Sequence, residues 1–102
     1  MKSKCRIPRI VVKICKTLDI TTKELRSRSR RQDFCDVRKI ICHVLRAEGL
    51  TFEHIGRIIK HDHSTVIYNL KEYDLMINCN RDFKHKVSVV NKLLENEKAS
   101  YT

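Results

Sequence analysis

The sequence predicts an all-α domain of about six helices, and three observations carry that reading. Apolar residues recur at helical spacing through most of the chain, the alternation of a half-buried strand is nowhere sustained, and only one Pro and two Gly interrupt 102 residues. Hydrophobic residues make up 41% of the chain, enough for one modest core, and no repeat of solenoid period is present. One helical domain is therefore expected over residues 7–95, with a basic arm at 1–6 and a polar tail at 96–102.

The elements follow in order. Pro8 suits a first helical position, and Ile10, Val11, Ile14 and Leu18 lie close to one face of a helix running to about Leu18. Thr21 stands three residues before Glu24, the spacing of a capping box, which predicts a brief helical turn through Leu25. Arg26-Ser27-Arg28-Ser29-Arg30-Arg31 has no apolar anchor and is expected as a solvent-facing loop. A central helix from about Gln32 to Glu48 turns Phe34, Val37, Ile41, Val44 and Leu45 inward and stops at Gly49, a natural residue just past a helix end. Thr51 caps a short segment with Phe52, Ile55, Ile58 and Ile59 on one face. Lys60-His61-Asp62 is a tight polar break, after which Val66, Ile67, Leu70, Tyr73 and Ile77 resume the period. Beyond Asn78 and Asn80, a last amphipathic helix carries Phe83, Val87, Val90 and Leu94.

Charge narrows the partner. The formal net charge is +10 and the isoelectric point is near 9.7. Residues 1–31 hold eleven Lys or Arg against Asp19 and Glu24, a local balance of +9, which leaves the other 71 residues at +1. A basic third joined to a balanced helical body is the electrostatic footprint of a nucleic-acid binder, a pattern shared by tails that meet anionic membranes.

Several classes are set aside. The apolar stretch from Ile7 to Ile20 is broken by Pro8, Arg9, Lys13, Lys16 and Asp19, which neither a signal peptide nor a spanning helix tolerates, so a cytoplasmic protein without membrane contact is expected. Five cysteines without paired spacing suit reduced thiols, and Cys35 and Cys42, two helical turns apart, read as small core residues. Neither CxxC nor HxxxH occurs, so no metal or other cofactor is expected. Asp62, His63 and Ser64 carry the names of a hydrolase triad, but neighbours in sequence cannot point at one another as nucleophile, base and orienter must. No enzymatic activity and no small-molecule substrate are expected.

Short helix, tight turn and longer helix make a helix-turn-helix over about 51–78, a motif that presents the first residues of its second helix to base edges in the major groove. Those residues are Asp62, His63, Ser64 and Thr65. Asp62 can accept from a cytosine amino group, His63 can donate, accept or pack on a thymine methyl, and Ser64 offers a hydroxyl. Asp62 also makes a good N-cap, Ser64 and Thr65 make good first-turn residues, and the alternative for Arg30 is one charge among several on a solvated loop.

From about Ile10 to Leu94 the chain resembles the C-terminal DNA-binding domain of DnaA, the bacterial replication initiator, whose fold is of the Trp-repressor-like type. The likeness rests on Leu18 to Leu25, the basic loop with Arg30, Arg38-Lys39, Thr51 to Gly56 and, most specifically, Asp62-His63-Ser64-Thr65-Val66. The resemblance implies double-stranded DNA as partner, with an A/T-rich initiator box. Asp62, His63 and Ser64 would read bases in the major groove and Arg30 would enter the minor groove, while Thr65, Arg38, Lys39, Arg28, Arg31, Lys60 and Thr51 would meet phosphates.

The chain departs from that pattern in two places. The family carries a Gly-Gly-Arg run before the Asp-His pair, whereas Lys60-His61 is one residue shorter and puts a histidine where the family has Arg. No Gly-rich phosphate loop occurs, so the chain is expected to recognise DNA without opening an origin, as a small replication or transcription regulator. The competing reading is a basic helical interaction module that grips protein, RNA or an anionic surface without sequence preference.

Overall fold

A computed structural model of the chain describes residues 8–29 and 31–99. The arm expected at 1–6, Arg30 and the last three residues lie outside the described residues. Six helices follow one another: α1 (Arg9–Thr17), α2 (Thr22–Leu25), α3 (Gln32–Ala47), α4 (Phe52–Ile59), α5 (His63–Cys79) and α6 (Arg81–Ala99). No strand occurs among the described residues.

Local chemistry sets most boundaries. Pro8 is the N-cap of α1 rather than its first helical residue, and its carbonyl accepts from the Val11 and Val12 amides. The box at α2 is complete: the Glu24 amide donates to Thr21 Oγ1 at 3.0 Å and the Thr21 amide to Glu24 Oε1 at 2.9 Å. α3 ends in a Schellman turn, with the Leu50 amide donating to Leu45 O, the Gly49 amide to Arg46 O, and Gly49 at a φ of 94° that a side chain would strain. Asn80 accepts from the Phe83 amide at 3.0 Å and so starts α6.

α3 is the hub. Phe34, Val37, Ile40, Ile41, Val44 and Leu45 are buried against Val11 and Ile14 of α1, Leu25 of α2, Ile55, Ile58 and Ile59 of α4, and Phe83, Val87 and Val90 of α6. Each fully buried Ile or Leu contributes about 1.5–3 kcal/mol, so this one cluster supplies the drive to fold. Tyr73 of α5 stacks on His43 of α3, with ring centroids 3.9 Å apart, and meets Phe83 of α6 edge-on at 5.4 Å, joining three helices at one ring. Lys86 of α6 reaches the buried Asp36 at 3.0 Å, whose other oxygen accepts from Gln32. The helical backbone runs past Asn96, where a polar tail was expected to begin: Leu93 and Leu94 still pack on the core, and Glu, Lys and Ala extend an existing helix readily.

Candidate nucleic-acid interface

α4 and α5 meet at a turn with little room. Thr51 Oγ1 accepts from the His54 amide at 3.1 Å to start α4, whose Ile55, Ile58 and Ile59 are fully buried while Phe52 is half-buried. Lys60 then takes a left-handed conformation, φ 62°, and the His61 amide closes the turn on Gly56 O at 2.8 Å. A Cβ at Gly56 would lie 2.5 Å from the His61 carbonyl oxygen, so only glycine fits here.

α5 opens at His63 with Asp62 as N-cap. The Asp62 carbonyl accepts the first-turn amides of Thr65 and Val66, but its carboxylate makes no capping bond. Asp62, His63 and Ser64 are exposed, Thr65 is half-buried, and Val66 behind them is fully buried, rooting the helix start in the core. Tyr68 is 59% exposed one turn beyond Ser64. Sequence reasoning missed Tyr68, although its place four residues after Ser64 was the available signal. It also missed Asn69, which is buried beside Cys42, whose thiol burial pushes up to about 12.

The basic loop is held from below. Arg38, expected on a phosphate, is only 5% exposed, and its guanidinium donates to Leu25 O at 2.9 Å, Ser29 O at 2.8 Å and Ser27 O at 2.7 Å. Three carbonyls of the loop and of α2 thus take a donor from each nitrogen of the guanidinium that the resemblance assigns to a phosphate. It also supplies the anchor that the loop sequence itself lacks. Lys39 is buried to a similar degree, along the wall of a groove. Arg28 and Arg31 are exposed; Arg31 lies over the Phe34 ring at 5.0 Å and within 4.0 Å of Asp33, a surface pair of small worth. Lys60 and Thr51 are exposed as well.

Two bridges tie the loop to the helix-turn-helix. The Arg26 guanidinium donates to Arg57 O at 3.2 Å, and His61 Nε2 lies 3.2 Å from Ser27 O. Burial, helped by the Arg38 charge, holds His61 below its ordinary value, against the pull of its bond to Ser27. Between loop, α3 and α5 runs a groove of about 850 Å³, lined among others by Arg28, Gln32, Lys39, His61, Thr65 and Tyr68. Its cations outnumber its one carboxylate, Glu72.

Among the described residues, no cluster of three His, Cys, Asp or Glu is placed to hold a metal ion. No described helix is long and apolar enough to cross a membrane. An exposed polar helix start on a buried short helix, beside a clamped basic loop, defines a helix-turn-helix DNA-binding domain. A family model described as the bacterial dnaA protein helix-turn-helix matches residues 7–72, and the chain belongs to that family, a DNA-binding rather than a catalytic one. The match covers α1 to α4 and the first half of α5. No curated protein matches the chain.

Proposed function

We propose that this protein binds double-stranded DNA in a sequence-specific manner, with the start of α5 in the major groove and Arg30 of the basic loop in the neighbouring minor groove. The preferred site is an A/T-rich box of the DnaA type, and the role is that of a small replication or transcription regulator that works without ATP hydrolysis. One observation carries this reading: an Asp carboxylate stands exposed at the tip of the helix and makes no capping bond. A surface that merely gripped polyanions would gain from Lys or Arg at that point, whereas Asp beside phosphates is tolerated when it accepts from a base. His63 and Ser64 flank it with groups that read base edges, and Thr65, facing the groove, has a hydroxyl for a phosphate. Arg30 would meet the enhanced negative potential of a narrow A/T-rich minor groove. Arg28, Arg31, Lys39, Lys60 and Thr51 supply the remaining backbone contacts, and Arg38 is left to hold the loop.

A fluorescence-anisotropy titration tests this with duplexes carrying a DnaA-type box or a scrambled box, and with single-stranded RNA, across a salt series. Preference for the box that persists as salt rises is the expected result. Equal affinities that fall together with added salt would replace base reading by charge attraction alone.

A further inference from the structure

We infer that His61 is a positioning residue: it ties the basic loop to the helix-turn-helix, so that the minor-groove and major-groove readers keep a fixed spacing. The inference rests on the DNA-reading proposal above and adds to it a residue that need not touch DNA.

The geometry is that of a bracket. His61 and Ser27 lie 34 residues apart in the chain, yet His61 Nε2 stands 3.2 Å from the Ser27 carbonyl oxygen. A carbonyl can only accept, so Nε2 carries the proton and donates. The same oxygen accepts Arg38 Nη2 at 2.7 Å, which fills its second lone pair. One backbone atom of the loop is thus gripped by the central helix on one side and by the turn on the other. The bond from Arg26 to Arg57 O, near the end of α4, repeats the link one residue earlier in the chain. The groups that face the ring are Arg38 from α3, Arg28 from the loop and Asp62 from its own turn. Two of the three are cations, and together with burial they disfavour the charged imidazole. A neutral ring adds no attraction for phosphate, so its contribution is geometric. The two grooves of a duplex lie at a set distance, and a loop displaced by about an ångström would lose hydrogen bonds formed there.

The test uses the full chain and three duplexes: the box, the box with its minor-groove A/T pairs exchanged for G/C, and the box with its major-groove-read pairs exchanged. His61→Ala is expected to lower the preference against the minor-groove exchange by about five- to tenfold, the lower end of what one base-reading contact is worth. Preference against the major-groove exchange should hold. His61→Gln, whose amide can donate to the same carbonyl, should restore what Ala loses. His61→Asn, polar but too short to reach, should behave like Ala and serves where the alanine variant melts. Retained minor-groove preference in both short variants overturns the inference, as does an equal loss of both preferences or a failure of Gln to rescue. A wild-type protein with no preference for the box overturns the DNA-reading proposal, and this inference with it.

Discussion

At the start of α5, Asp62, His63 and Ser64 stand exposed, with no capping bond from the Asp62 carboxylate, whereas in the first half of α3 Asp36 and Arg38 are buried and hydrogen-bonded within the protein. Both clusters lie on helices, and the resemblance assigns Arg38, like Asp62, His63 and Ser64, to DNA. The difference is where the backbone carries them. An exposed helix tip keeps its donors and acceptors for a partner. A helix at the centre must satisfy them at home, because a polar group left unpaired in the interior costs about 1–3 kcal/mol.

The sharpest way to break this comparison is Arg38→Met. It removes the donors of three carbonyl bonds and should cost about 3 kcal/mol or more of stability, read as a fall in the melting temperature. A melting temperature close to wild type would show that Arg38 is free for phosphate after all. Gly56→Ala comes next: its Cβ would press on the His61 carbonyl, and because that atom is backbone the turn must shift, at a cost of about 1–3 kcal/mol. A denaturant melt measures this directly. His63→Ala should do the reverse of both, leaving stability within about 0.5 kcal/mol while weakening the preferred site by about 1–3 kcal/mol. Matched binding and melting curves on one preparation separate the two effects.

The smallest effect concerns pH. His61 holds its proton less firmly in the folded chain than at its ordinary value of 6.5, so as pH falls the unfolded chain takes up the proton first. Stability should therefore decline as pH drops through about 6.5 and level off once the folded value is passed. Melting temperatures between about pH 7.5 and 5.5 should show a shallower decline in His61→Gln than in wild type, and identical slopes would remove His61 from the account.

Much of the fold was legible in the sequence because its signals are local. The Thr21–Glu24 box, the stop at Gly49, and the apolar spacing of α3 each need only neighbours three or four residues away. The helix-turn-helix was legible for the same reason, with Thr51 at its start and the Lys60-His61-Asp62 break at its joint. Arg38 was not. A basic residue shortly after a basic loop reads as charge for DNA, and only tertiary approach reveals that it reaches back to Leu25 and Ser27. His61 likewise read as a missing cation, because a bond to a carbonyl 34 residues earlier leaves no trace in local pattern. Asn69, set among apolar neighbours on α5, was hidden by its polarity.

The way α5 is seated has a mechanical consequence. Val66, Asn69 and Tyr73, all buried, seat the helix over about 10 Å, and the tip at His63 overhangs the first of them by about 4.5 Å. Val66 thus acts as a fulcrum with a short arm toward the tip and a long arm toward Tyr73. A sideways shift at the Tyr73 stack reaches the tip reduced by roughly half. Loosening that stack would tax the fold well before it blurred the aim of the helix, which lets the back of the domain vary while its front stays true.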